Sequence, residues 1–159
     1  MKKIIIYTIA FFVVVSIHLI INTYLATFGI APNIALLAVI FLAVSKGSRM
    51  GMWAGFLLGL SLDVLLSDMF GSRTIALTII GYSAGLLRGE WDDSSGLNQA
   101  VLVLLCSFTY LTLLIIEYAI FSTIQANLLL NHITLLQPVL NALISPAIFW
   151  VFGRFINNN

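Results

Sequence analysis

Gly51-Met52-Trp53-Ala54-Gly55-Phe56-Leu57-Leu58-Gly59-Leu60-Ser61-Leu62-Asp63 places a glycine or a carboxylate at every fourth position. On a helix, positions four apart form a row that drifts only slowly around the axis. The stretch therefore predicts a helix with one glycine ridge (Gly51, Gly55, Gly59) that Asp63 continues at its far end. A short polar break follows, with Ser67, Asp68, Gly71, Ser72 and Arg73. A second apolar segment then ends on Gly81, Tyr82 and Gly85. A ridge without side chains lets a neighbouring helix approach closely, which is how helices associate in lipid. Helix packing accounts for the glycines. Asp63 needs a further account, because an ionisable group inside an apolar span is costly and is usually paired.

The surrounding composition makes the solvent of this helix a bilayer. The chain of 159 residues is 61% hydrophobic and 8% charged, with a mean hydropathy of +1.10. Soluble domains carry about a quarter charged residues, so the composition predicts an integral membrane protein with residues 1–159 forming a single transmembrane domain. The basic residues are scattered singly, which gives no footprint for nucleic acid. The lone Cys106 lies in an apolar run and reads as a small buried residue. Lys2 and Lys3 followed by an apolar run resemble a signal peptide, with Gly29-Ile30-Ala31 as a small-residue site. The run exceeds the usual ~7–15-residue signal core, and Pro32 follows directly, so it reads as an uncleaved first span.

Six apolar segments are expected, at about residues 4–26, 32–44, 51–66, 74–87, 99–121 and 138–156. The predicted fold class is all-α, a polytopic bundle of six transmembrane helices. Pro32 suits the first turn of the second helix. The second, third and fourth segments fall short of the roughly 20 residues a perpendicular crossing needs. They must be extended or the bilayer thinned, or the third and fourth form a re-entrant pair. With a cytoplasmic N-terminus, Lys2, Lys3, Lys46, Arg49, Arg88 and Arg154 fall inside and Arg73 outside. That asymmetry follows the positive-inside rule and puts both termini in the cytoplasm. A re-entrant pair fits the rule equally well. Between Arg88 and Asn98, the acidic Glu90, Asp92 and Asp93 with Trp91 read as a solvated loop or as a contact for a cytoplasmic partner. The stretch 122–137, with Leu128, Leu129 and Leu130, reads as external, on the bilayer surface or against a partner.

Polar residues inside the spans are the candidates for chemistry. His18, Asp63 and Glu117 fall in the outer half of the membrane at the standard helical rise. In the last segment Gln137, Asn141 and Ser145 form an i, i+4 row. Pro146 is expected to interrupt that helix by freeing the carbonyl of Ala142. The ingredients for catalysis are thin: no spacing fixes an acid–base pair, and His18 and His132 show no metal-ligand spacing. No catalytic residue, metal site or cofactor is predicted. A lone histidine such as His18 reads as a structural hydrogen-bonding group. Asp63 is expected to pair with Arg73, the preferred partner, or with hydroxyl and amide groups of neighbouring helices. A ligand or ion role is the alternative.

Pro32-Asn33 with Leu36-Leu37, then Gly55-Phe56 through Gly59 to Asp63, then Gly71, Arg73 and Gly81-Tyr82, resemble the MreD family. The placement of Asn141 and Pro146 is similar as well. The resemblance covers nearly the whole chain. It implies a non-enzymatic scaffold subunit of the bacterial cell-elongation machinery in the inner membrane. The implied partners are MreC, RodA with its class B penicillin-binding protein, and MreB filaments. The implied fold is similar to the substrate-binding subunits of energy-coupling-factor transporters. That similarity raises a rival function, a membrane subunit binding a small molecule such as a vitamin. Those subunits share an Ala-x-x-x-Ala pattern on the first span. The first span here has Ala10 without a partner at that spacing, which favours the MreD reading.

Overall fold

The computed structural model describes residues 2–25, 31–66, 70–89, 95–121 and 132–157, with backbone alone at 2–9, 132–134 and 155–157. Ser67 and Asp68, the Gly29-Ile30 site, the acidic residues Glu90, Asp92 and Asp93 with Trp91, and Leu128 to Leu130 lie outside the described residues. So do the side chains of Lys2, Lys3 and His132. Six helices run in chain order: α1 Lys2–Leu25, α2 Ile34–Lys46, α3 Ser48–Leu66, α4 Ser72–Leu86, α5 Gly96–Phe121 and α6 His132–Asn157. All regular structure among the described residues is helical.

The bundle is built around α2. Its sequence, Ile-Ala-Leu-Leu-Ala-Val-Ile-Phe-Leu-Ala-Val-Ser-Lys, is apolar all round, and nine of its 13 residues are buried. A helix without a polar face has no side to turn outward and sits in the core. Accordingly α2 touches each of the other five helices. Its ends are finished locally. The Asn33 side chain accepts the Leu36 N–H at 3.1 Å, the usual N-cap arrangement. Pro32 thus precedes the cap and does not open the first turn as expected, because Asn33 supplies an acceptor that proline lacks. At the other end Gly47 adopts φ +96° and donates its N–H to Ala43. Only glycine takes that conformation without strain, so α2 turns into α3 across a single residue. The Arg88 guanidinium donates to the Lys46 carbonyl at 3.1 Å. Together with Lys46 in the last turn, it sets positive charge against the negative end of the α2 dipole.

Because α3 begins at Ser48 and not near Gly51, it has 19 residues. The polar Ser48 and Arg49 are absorbed into its first turn, a boundary that apolar runs underestimate. By length and apolarity α3, α5 and the Leu135–Arg154 part of α6 suffice to cross a membrane, while the Ala10–Leu25 part of α1 and all of α2 are shorter apolar stretches. At 13 residues, α2 is about 20 Å long, well short of the ~30 Å hydrocarbon core.

α6 runs through both Pro138 and Pro146. The interruption expected at Pro146 does not occur. The proline removes one N–H, yet the Ser145 hydroxyl donates to the Ala142 carbonyl at 2.8 Å and occupies the acceptor that Pro146 leaves free. A local side-chain bond of this kind lets an apolar helix keep its course past a proline.

Candidate functional site: a polar cluster at one end of the bundle

The glycine ridge decides how α3 and α4 meet. A Cβ at Gly51 would fall on the Gly81 carbonyl and within 2.5 Å of Ala43 Cβ. One at Gly55 would fall on the Leu77 carbonyl, one at Gly59 would lie 2.5 Å from Thr74 Cα, and one at Gly85 would fall on the Ser48 backbone. From the other side, a Cβ at Gly81 would strike the Gly51 carbonyl. These antiparallel helices are therefore in backbone-to-backbone contact along their length, a separation that any side chain would prevent. Gly71 is different. Nothing lies within 4 Å of where its Cβ would be, and its φ of +99° is what requires glycine. It turns the chain from the polar break into α4. Phe56 and Tyr82 point away from the contact and are exposed on the outer face of the pair, where Trp53 and Phe56 stack edge to face.

Close approach brings Asp63 to the first turn of α4. One carboxylate oxygen, Oδ1, accepts the Arg73 backbone N–H at 3.1 Å. Its partner Oδ2 accepts the Thr74 N–H at 2.9 Å and the Thr74 hydroxyl at 2.6 Å. The N-cap residue of α4 is Gly71, which has no side chain to cap with. Asp63 does that work from the neighbouring helix, satisfying two N–H groups that a helix start leaves unpaired and placing its charge at the positive end of the dipole. This is how a carboxylate only 2% exposed is accommodated. The preferred ion pair with Arg73 is not formed: the partner is the Arg73 main chain, together with Thr74. The guanidinium has an independent destiny, and its Nη1 is buried without a hydrogen-bond partner.

A second polar set joins α2, α5 and α6 at the same end. Asn141 Oδ1 accepts the Asn33 N–H at 2.8 Å and its Nδ2 donates to the Ser107 hydroxyl at 3.2 Å. Gln137 Nε2 donates to the Ala31 carbonyl at 2.8 Å. The i, i+4 row of α6 thus meets the entrance to α2, with Asn141 1% and Ser145 0% exposed. Buried amides with both ends engaged are strong determinants of helix register. On α1, Asn22 Nδ2 lies 3.1 Å from His18 Nε2, while His18 Nδ1 has no partner. Glu117 on α5 is buried, and its Oε2 is likewise unpartnered. Tyr110, buried on α5, interacts with the Asn33 side chain. Among the described residues no three His, Cys, Asp or Glu side chains are grouped as a metal would require.

With this arrangement in view, comparison with known families is informative. The family model described as rod shape-determining protein MreD matches residues 1–156. The chain belongs to the MreD family. No curated protein and no solved structure matches it. Membership makes this a cell-shape protein of the membrane, carrying transmembrane helices.

In this MreD-family chain Asp63 meets Arg73 and Thr74 at the start of α4, and Asn141, above Ser145, joins α2 to α5, while His18 and Glu117 are buried separately on α1 and α5. Asn33, Thr74, Ser107 and Tyr110 went unread as polar participants. Ser107, Tyr110 and Glu117 share one face of α5 at spacings of three and seven, so helical periodicity carried a signal for them. Thr74 had none, because its role depends on how α3 and α4 are aligned.

Proposed function

We propose that this chain is a non-enzymatic scaffold of the rod-shape machinery, a six-span bundle of residues 1–159 in the bacterial inner membrane that links MreC to peptidoglycan synthases. The observation that carries this reading is the MreD family match across residues 1–156. A hairpin locked by backbone contact and a helix start capped in trans suit a part whose task is to hold a fixed shape. Its partners on this reading are MreC, RodA with its class B penicillin-binding protein, MreB filaments and the surrounding lipid. The ridge residues, with Phe56, Tyr82 and the polar cluster, supply the rigid frame and its contact faces. A fold like that of energy-coupling-factor substrate-binding subunits is part of the same proposal.

The test is depletion in a rod-shaped host combined with affinity purification in mild detergent. Depleted cells are expected to become round and to disperse wall synthesis, with vitamin uptake unchanged, and MreC is expected to co-purify. Depleted cells that stay rod-shaped while losing uptake of one vitamin would instead support a transporter subunit.

Orientation is tested separately. Reporters after Asn159 and within residues 88–98 are expected to read as cytoplasmic, and one within residues 122–137 as external. This follows from the placement of Lys46, Arg49, Arg88 and Arg154 opposite Arg73. The same side for the C-terminus and residues 122–137 would rule out six spans.

A further inference from the structure

At the end of the bundle away from Asp63 and Glu117, a groove of about 300 Å³ lies between α2, α5 and α6. Its walls are aromatic and fixed by their own packing. The Phe41 ring of α2 meets Phe149 of α6 at 5.4 Å and Phe152 at 5.6 Å, both tilted. On the α5 side the groove is bounded by Gly96, which has no side chain to close it. A Cβ there would lie 3.5 Å from Pro146 Cβ, an ordinary van der Waals distance, and the backbone of Gly96 is not at positive φ. Neither crowding nor conformation calls for glycine at this position, in contrast to the ridge of α3. Its effect is to leave the space between α5 and α6 open.

The groove ends in positive charge. Pro146, Trp150 and Arg154 stand four apart and form one row along α6. The first two line the groove, and the Arg154 guanidinium lies over the Trp150 ring, 5.5 Å from its centre. On α2 the exposed Lys46 follows directly on Ser45, which also lines the groove. The carboxylates among the described residues, Asp63 and Glu117, belong to the far ends of α3 and α5 and do not neutralise these cations. Trp150 is largely exposed, as are Val101 and Leu143 on the outer surfaces of α5 and α6. The groove therefore opens onto the apolar flank of the bundle. A helix about 10 Å across occupies roughly 420 Å³ per turn, so the groove cannot enclose one turn of a partner helix, whereas an acyl chain enters end on. Basic pockets between transmembrane helices suit acidic headgroups. We propose that this groove binds an anionic phospholipid, with one acyl chain against Phe41, Phe149 and Trp150 and the headgroup phosphate at Arg154 and Lys46.

The experiment measures lipid retention by native mass spectrometry for the purified full chain in mild detergent. The probes are dioleoyl phosphatidylglycerol and dioleoyl phosphatidylcholine, which share acyl chains and a phosphate but differ in net charge. The glycerol lipid is expected to be retained about tenfold better, the scale of one or two basic side chains beside an anionic headgroup. Arg154→Gln should bring its retention close to that of the choline lipid. Gly96→Leu should fill the groove and lower retention of both. Its Cβ meets Pro146 at contact distance only, so the variant is expected to fold; if it does not, Gly96→Ala and Arg154→Gln decide. Equal retention of the two lipids by the unmodified chain would overturn the proposal, as would a preference that survives Arg154→Gln. Displacement of the bound lipid by soluble glycerol phosphate would replace the lipid with a soluble anion. If Gly96→Leu leaves lipid retention unchanged but removes a co-purifying protein, the groove belongs to a partner chain and the proposal fails. None of these lipid readouts depends on cell shape, so their failure leaves the scaffold reading untouched.

Discussion

Gly55→Leu is expected to leave no folded protein, whereas Gly153→Leu is expected to behave like the unmodified chain. Both are glycines on helices, and both substitutions add the same side chain. They differ in what the new Cβ meets: the Leu77 carbonyl and backbone at Gly55, and nothing within 4 Å at Gly153. Backbone atoms cannot turn aside as a flexible side chain can, so α3 and α4 would have to separate along their length. Even Gly55→Ala should cost more than the ~1–3 kcal/mol of ordinary overpacking, despite the better helix propensity of alanine. Separation would also withdraw Asp63 from α4, so the two features fail together. Folded yield as a monodisperse peak in mild detergent reads the effect. Comparable yields for Gly55→Leu and Gly153→Leu would show that the helices are not in the close contact described.

Asp63→Ala should destabilise the protein by at least the ~1.5–3 kcal/mol that one hydrogen bond to a charged group contributes. It leaves two N–H groups and a hydroxyl unpaired at the start of α4. Asp63→Asn keeps one acceptor but turns an amide N–H₂ toward donors, so it should recover only part of the loss. The informative comparison is a pair of double-mutant cycles. Asp63 with Thr74→Ala should couple by roughly 0.5–3 kcal/mol, as residues sharing hydrogen bonds do. Asp63 with Arg73→Gln should couple more weakly, because Arg73 engages the carboxylate through its main chain, which the substitution leaves in place. Stronger coupling to Arg73 than to Thr74, measured by thermal or denaturant unfolding in detergent, would restore the ion pair in place of the trans cap.

The division between what was readable in the chain and what was not follows the range of each interaction. Composition alone marks a membrane protein, because no soluble fold tolerates so few charges. The four-residue spacing of Gly51, Gly55, Gly59 and Asp63 is legible because helical periodicity is local. Helix boundaries at polar residues were less so: Ser48 and Arg49 read as a loop, yet their backbone continues α3. Pro146 likewise read as a break, since the remedy depends on the rotamer of Ser145.

Only the tertiary structure decided what Asp63 binds. A side-chain charge pair leaves a trace in sequence, since both residues are recognisable types. A main-chain N–H is present at nearly every residue, so a carboxylate capping a foreign helix has no sequence signature. Its position depends on the register between α3 and α4, which the glycine contacts set. The meeting of Asn33, Ser107 and Asn141 is of the same kind. Asn141 was visible as a polar residue in an apolar run, but its bonds required α2, α5 and α6 to pack together. Chain order alone says nothing of that three-dimensional arrangement, which rests on contacts between residues far apart in sequence.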